Sequence, residues 1–553
     1  MGAHAGGAGL VIDTHTILAE LTGPGTPFEI VARNEGLRAF ARTPPNLWAF
    51  LESARRFADL DFLVFEGDRL SYAEAFARGE ALSGVLGVKP GVHVGIAMSN
   101  QPAWVIAFLA VQRAGAVAVL LNSRSAADDL HTQAQEGGVD LILADEKRAG
   151  LLREAGYQGR ILTPDDFPLS GEPAPASSAG PQDTCAILFT SGTTGRTKGA
   201  ELTHENLITG LMYTQLSGLV VLRQTAEKLG VPETTLLAHR PQGSALLVFP
   251  LFHISGLGAG FLSQMLSGGK IVILPRWEPQ RAIELIAAER ISMLAGVPTM
   301  LWDMIHSART EGADLSSLRN VSSGGQALPV NLLEAVASAF PGALIGTGFG
   351  LTETAGPIAM SIGEEFLARP QSAGRVLALA DVRTISPDGV PQAAGAVGEL
   401  CVRGPMVMKG YFGRPEETRA ALDSDGWFRT GDVGFVDDDG FIHIVDRKKD
   451  MVISGGENIY CAEVERVMSL LGPVRECAAF GLPDARLGER LVAMVVADGL
   501  DEATLRDHVA SQLAAYKTPT EVRFSSAPLP RTATGKIDKI ALRGAWPATT
   551  GEA

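Results

Sequence analysis

Short apolar, β-branched runs alternate with segments of helical spacing over roughly the first 340 residues. Residues 92–97 and 116–121 read as buried strands, and residues 102–113 between them read as a helix. Further strands are predicted over 141–144, 185–190, 245–250 and 270–274, with helices over 279–290 and 330–339. Alternation of this kind predicts a largely parallel sheet with helices on both faces, because joining parallel strands takes a crossover.

The pattern changes after about residue 370. Residues 376–385, 398–402, 428–436 and 441–445 read as short antiparallel strands, and Asp438-Asp439-Gly440 is a hairpin signal. From residue 462 an αβ pattern resumes, with a helix over 462–470, strands over 476–481 and 491–497, and a helix over 502–515. This last unit is about a hundred residues long, enough for a small domain of its own. Between the two regions lies Asp446-Arg447-Lys448-Lys449-Asp450, which its composition marks as a charged linker and which carries the expected boundary. The longest stretch without Asp, Glu, Lys or Arg, residues 243–269, is long enough to span a bilayer. Pro250, His253, Ser255, Gln264 and several glycines interrupt it, so it reads as a buried strand, a turn and a core helix.

A chain of 553 residues is long enough for three to four domain-sized units. Lys plus Arg is 47 and Asp plus Glu is 62, giving −15, which argues against a nucleic-acid binder because phosphate neutralisation needs a basic face. Cys185, Cys401, Cys461 and Cys477 are widely spaced without a C-x-x-C pair, so neither a disulfide framework nor a zinc site is expected. With no secretory leader evident at the N-terminus, a reducing, cytoplasmic setting suits them.

The segment richest in chemistry is Phe189-Thr190-Ser191-Gly192-Thr193-Thr194-Gly195-Arg196-Thr197-Lys198-Gly199, which follows an apolar strand. Glycines let the backbone approach a phosphate, hydroxyls and N–H groups donate to its oxygens, and cations offset its charge. It departs from the nucleotide loop G-x-x-x-x-G-K-[ST], since Lys198 lies three residues after Gly195 and Gly199 follows it. Taken alone, the segment is either a flexible polar loop or a phosphate cradle.

Its company decides between these. The loop resembles the phosphate loop of the adenylate-forming superfamily, which includes acyl- and aryl-CoA synthetases, firefly-type luciferases and the adenylation domains of peptide synthetases. Further segments match in the family's order: Gly348-Phe349-Gly350-Leu351-Thr352-Glu353-Thr354, Trp427-Phe428-Arg429-Thr430-Gly431-Asp432, Asp446 to Asp450 followed by Ser454-Gly455-Gly456-Glu457-Asn458-Ile459-Tyr460, and Pro530-Arg531-Thr532-Ala533-Thr534-Gly535-Lys536. The resemblance covers roughly residues 50 to 540. It implies an α/β protein with a large multi-subdomain N-terminal domain over 1–448, built of parallel sheets with helices plus a small β-barrel-like part. A small mobile α+β C-terminal domain over 449–553 follows, with Lys449 at the hinge.

The resemblance also implies roles. Thr190, Ser191, Gly192, Thr193, Thr194, Gly195 and Lys198 cradle the phosphates of ATP, and the Gly348-Phe349-Gly350 turn brings Phe349 onto adenine, where the family more often has Tyr. Thr352 offers a hydroxyl to a phosphate oxygen and Glu353 a carboxylate to Mg²⁺. Asp432 accepts from both ribose hydroxyls, and Arg447 assists at the ribose or phosphate. Lys536 reaches the substrate carboxylate and α-phosphate in the adenylation pose only. His253, in Pro250-Leu251-Phe252-His253-Ile254-Ser255-Gly256-Leu257, stands near the substrate carboxylate. Gly325 and Gln326 fall in the segment Ser322 to Ala327 that lines the acyl pocket. Gly455, Gly456 and Glu457 belong to the CoA-ligase form of their segment, whose glycines let pantetheine pass.

The reaction so implied joins a small-molecule carboxylic acid to coenzyme A, using ATP and Mg²⁺. No Asp occurs between Ala245 and Ser267 to hold an amino group, which argues against amino acids. With Gly256, Gly258 and Gly260 expected to leave room, a medium- or long-chain fatty acid is the first expectation and an aryl or arylalkanoic acid the second. Transfer to a carrier protein's phosphopantetheine, or a reaction stopping at acyl-AMP, stays open as an alternative acceptor chemistry. A luciferase-type oxygenase shares the same motifs. A non-catalytic nucleotide- or acyl-binding protein is the reading from a different class, and the presence of Lys536 and Glu353 speaks against it.

Overall fold

Val117–Leu120 is buried at every position, as a strand covered on both faces must be. In this computed structural model, which describes residues 14–33, 36–191, 197–238, 241–324, 330–532 and 536–546, it lies at the centre of a seven-stranded sheet. The order across that sheet is Gly410–Tyr411, Thr197–Thr203, Thr184–Ser191, Val117–Leu120, His93–Ala97, Leu141–Ala144 and Arg160–Leu162. The strands from Thr184–Ser191 to Arg160–Leu162 run parallel. The crossover helix Pro102–Arg113 has Pro at its first turn, where the missing N–H costs nothing, and buries Trp104 stacked on Phe108.

The second sheet has thirteen strands. Its parallel part contains Asp61–Phe65, Lys270–Ile273, Ser244–Leu247, Met293–Gly296, Asn320–Gly324 and Leu344–Leu351, in that order. From Gly356–Ile362 onward it continues antiparallel through Gly374–Val376, Phe441–Arg447, Phe428–Val436, Gly398–Arg403 and Asp381–Ile385. The β-rich part expected after residue 370 is therefore hydrogen-bonded to the large sheet. A helix of 26 residues, His204–Leu229, packs against Gly356–Ile362 and the wide helical turn Ser255–Leu262. Thr203 and Asn206 form its capping box, and Gly230, at φ 65°, ends it in the left-handed region.

Beyond Lys449 the chain builds a separate five-stranded sheet with Val452–Ser454, Glu457–Ile459, Val474–Asp484, Gly488–Ala497 and Glu521–Phe524. Helices Cys461–Met468 and Glu502–Gln512 cover it around a core of Ile459, Val464, Val467, Leu491, Val495 and Leu505. Among the described residues no helix is long and apolar enough to cross a membrane.

Four predicted elements are corrected. The strand expected over 376–385 is two, Gly374–Val376 and Asp381–Ile385, because the first pairs with Gly356–Ile362 and the second with Gly398–Arg403. A turn closed by the Ala380 N–H on the Leu377 carbonyl separates them. The strand expected over 245–250 ends at Leu247, and the helix expected to 515 ends at Gln512. The charged linker is half strand: Asp446 and Arg447 finish Phe441–Arg447, paired with Val433 and Asp432. Composition reads such a run as solvated, yet Asp446 is only 4 % exposed because backbone N–H groups bind its carboxylate.

Candidate active site

The hairpin of Thr184–Ser191 and Thr197–Thr203 places Thr190 opposite Lys198. Ser191 ends the first of these strands; Gly192, Thr193, Thr194 and Gly195 lie outside the described residues, as do Gly325 and Gln326. Leu344–Leu351 carries Gly348, Phe349 and Gly350 and runs into a 3-10 turn, Thr352–Thr354. A Cβ on Gly350 would sit 2.1 Å from the Gly356 carbonyl oxygen, so only glycine allows this close approach.

Glu353 is 8 % exposed. Burial pushes its carboxyl above the usual carboxylate range, while its own backbone, Tyr411, Arg447 and the Thr190 hydroxyl pull the other way. The Tyr411 hydroxyl donates to Glu353 Oε1 at 2.9 Å, and the Lys198 ammonium lies 5.0 Å from the centre of the Tyr411 ring.

Asp432 and Arg447 face each other across paired strands, and Arg447 Nε lies 3.2 Å from Asp432 Oδ1. The other oxygen, Oδ2, is buried without a hydrogen-bond partner among the described residues. An orphaned buried acceptor is costly, and an incoming hydroxyl donor would satisfy it.

Lys536 arrives from the C-terminal unit and joins this group. Burial lowers its pKa to about 8, the charges of Arg447 and Lys449 add to the effect, and Asp432 opposes it. His253 lines the same cleft as Lys536. Its Nε2 is also buried without a partner among the described residues, and burial, Arg124 and Lys536 together lower its pKa to about 4. Its ring is therefore neutral at pH 7.

Thr190, Lys198, Phe349, Glu353, Asp432, Arg447, Lys449, His253 and Lys536 all line one cleft of about 2350 Å³. Gly455, Gly456 and Glu457 do not. They form the exposed turn between Val452–Ser454 and Glu457–Ile459, where φ of 59° and 88° calls for the two glycines.

Sequence reasoning missed Tyr411 and Arg124. Tyr411 gives no periodic signal. Arg124 follows the buried strand Val117–Leu120, and the loops beyond the carboxyl ends of parallel strands are where α/β proteins place sites, which is a usable signal.

The cleft continues as a slot between helix His204–Leu229 and the large sheet, lined by Leu211, Gly218 and Leu222 on the helix side. On the sheet side Ala295, Ser322 and Gly346 form one in-register row, and Gly324 and Gly348 the next. These positions carry small side chains or none where they line the cleft. The expectation that three glycines leave room holds only for Gly258, where an added Cβ meets nothing within 4 Å; the same is true of Gly218. A Cβ on Gly256 would lie 2.0 Å from the Pro250 oxygen, and one on Gly260 2.5 Å from Leu247 Cδ1. Those two glycines permit packing of the helical turn.

Residues 50–412 match the family described as AMP-binding enzyme, and residues 463–536 match the AMP-binding enzyme C-terminal domain. A feruloyl-CoA synthase of Amycolatopsis is 38 % identical over 485 residues, covering 86 % of this chain and 94 % of its own. The long-chain-fatty-acid–CoA ligase FadD13 of Mycobacterium tuberculosis is 32 % identical over 531 residues, covering 93 % and 98 %. Among solved structures, the o-succinylbenzoate CoA synthetase MenE of Bacillus subtilis, in complex with its acyl-adenylate intermediate, superposes with a TM-score of 0.75 at 28 % identity. The match covers 93 % of this chain and 100 % of that one.

Proposed function

The chain belongs to the AMP-binding enzyme family and is an acid–CoA ligase that works through an acyl-adenylate, and from there we propose that its acid is aromatic, an arylpropenoate or arylalkanoate. The observation that carries this reading is the set of small residues, Ala295, Ser322, Gly324, Gly346 and Gly348, that lines the same cleft as the open position Gly258. Small in-register side chains leave room for the face of a ring, whereas an alkyl chain is best enclosed by a narrow tube of branched side chains. The higher identity to a feruloyl-CoA synthase than to a fatty-acid ligase supports the same choice. The expectation of an apolar acid drew on three glycines, of which one, Gly258, lines the cleft with an open Cβ position.

ATP fits the remaining groups. Asp432 Oδ2 awaits a ribose hydroxyl, Phe349 offers a ring to adenine, and Lys198, Arg447 and Lys536 meet the phosphate charge. The donor set also fits Mg²⁺: the carboxylate of Glu353, beside the groups that would meet the phosphates, supplies the hard oxygen this ion takes. Bound there, Mg²⁺ would neutralise polyphosphate charge.

In the first step a substrate carboxylate oxygen bonds to the α-phosphorus and the bond to pyrophosphate breaks. Lys536 orients the carboxylate and offsets developing charge, and neutral His253 presents one ring nitrogen to the same group. In the second step the CoA sulfur, having lost its proton, bonds to the acyl carbon and AMP departs. Lys449 is proposed as the hinge, with 1–448 and 449–553 as the moving units. Its flanks form a turn in which the Asp450 and Met451 N–H groups both donate to the Arg447 carbonyl.

Pyrophosphate release by the purified protein with ATP and Mg²⁺, across arylpropenoates, arylalkanoates and fatty acids with and without CoA, tests this. CoA-dependent turnover concentrated on the aryl acids is expected. Turnover concentrated on long-chain fatty acids would reject the aromatic reading.

A further inference from the structure

Tyr411 is fixed in place from both sides. In the segment around it the Met408 N–H donates to the Glu353 carbonyl at 2.8 Å, the Lys409 N–H to the Glu201 carbonyl at 3.0 Å and the Phe412 N–H to the Gly199 carbonyl at 2.8 Å. Tyr411 itself pairs with Ala200 in the sheet, and its own N–H donates to the Thr418 hydroxyl at 2.9 Å. Met408, Lys409, Tyr411 and Phe412 thus tie the turn that carries Glu353 to the strand that carries Lys198.

The side chain then contacts both functional groups. Its hydroxyl donates to Glu353 Oε1, and its ring face receives the Lys198 ammonium. A buried carboxylate that serves a cation must keep one oxygen satisfied and the other free to approach it. A phenol suits this because its O–H is a donor throughout the neutral range. The ring adds a weaker hold on Lys198 through the attraction between an ammonium and a π face.

We infer that Tyr411 is a positioning residue of adenylation: its hydroxyl aims the Glu353 carboxylate at the metal, and its ring aims Lys198 at the polyphosphate. One side chain thereby sets the relative placement of the two groups. The inference rests on the reading of Glu353 as the metal-binding carboxylate, and the test separates the two.

The experiment uses the full-length protein and its Tyr411→Phe, Tyr411→Leu and Glu353→Gln variants. Mn²⁺ binding is measured by electron paramagnetic resonance in the presence of α,β-methylene-ATP, which cannot release pyrophosphate, and nucleotide binding is measured without metal. Tyr411→Phe keeps the ring and loses only the hydroxyl, so its Mn²⁺ affinity should fall on the order of tenfold while metal-free nucleotide affinity and thermal midpoint stay unchanged. Tyr411→Leu should weaken metal-free nucleotide binding as well, since Lys198 loses its ring. Unchanged Mn²⁺ affinity in Tyr411→Phe, with a clear loss in Glu353→Gln, overturns the inference and leaves the Glu353 reading standing. No change in either variant overturns both. A Tyr411→Phe protein with a lowered thermal midpoint and equal losses of metal and nucleotide binding would assign Tyr411 to packing, and would also overturn it.

Discussion

The Asp446 carboxylate accepts a hydrogen bond from the Ala462 N–H at 3.4 Å, across the segment that contains Lys449. Asp446 lies in the last strand of the large sheet and Ala462 in the first turn of helix Cys461–Met468. The bond therefore joins the two units in the arrangement that brings Lys536 to Asp432, and the proposed rotation about Lys449 would break it. A carboxylate at a helix N-terminus is well placed, because the first N–H groups of a helix lack internal partners.

Holding this carboxylate costs stability. Burial raises the Asp446 pKa to about 6, with Glu465 and Asp450 adding to the shift and Lys539 and the Arg447 N–H opposing it. A carboxyl whose folded pKa lies above its unfolded value contributes stability below the unfolded pKa and loses it as pH rises through the folded one. Between pH 4 and 6 the wild type should therefore lose stability that Asp446→Asn keeps. At pH 8 the variant should be the more stable by on the order of 1–3 kcal/mol, with no difference near pH 4. Thermal unfolding at the two pH values checks this, and a difference independent of pH would refute it.

Replacing Lys449 by proline restricts the backbone where rotation is proposed. Lys449→Pro should leave acid-dependent ATP–pyrophosphate exchange near wild type and slow thioester formation from supplied acyl-AMP, on the order of a hundredfold. Equal slowing of both half-reactions would remove Lys449 from the hinge.

Lys536, with its pKa lowered to about 8, is charged below that pH and neutral above it. If the ammonium serves adenylation, kcat/KM for ATP should fall tenfold per pH unit above about 8. Bound phosphates favour the charged form, so the corresponding limb of kcat should lie at higher pH. Lys536→Ala should abolish that limb and lower the adenylation rate on the order of 10²- to 10³-fold, sparing thioester formation from acyl-AMP. An unshifted profile in the variant would show that another group titrates.

Gly256 and Gly258 should respond in opposite ways. Gly258→Leu projects into the slot, so KM for an arylpropenoate should rise about tenfold or more with little change in thermal midpoint. Gly256→Ala forces a Cβ against the Pro250 carbonyl and should destabilise the fold by about 1–3 kcal/mol. Similar behaviour of the two variants would contradict the slot.

Much was legible in the chain alone. Helices 102–113 and 330–339 and the strand 428–436 fall where periodicity puts them, because residue spacing, Pro102 and Gly440 act within a few positions of themselves. The ordered motifs were equally plain, since each is a run of neighbours. Local pattern says whether a residue prefers burial and whether the backbone turns; it carries no information about what lies across the gap. Asp446 and Lys448 look alike as members of a charge run, yet the N–H groups of Arg447 and Ala462 draw one of them inside. Gly256 and Gly258 are identical in type and differ because Pro250 faces only the first. Tyr411 gains its place because one strand register sets it beside Lys198 while its hydroxyl meets Glu353. Most elements, the family and the acid–CoA ligase class could be read from residues near one another in the chain. The orphaned oxygen of Asp432, the neutral ring of His253 and the shape of the acid slot were decided only by tertiary packing, because each depends on desolvation by residues far away along the chain.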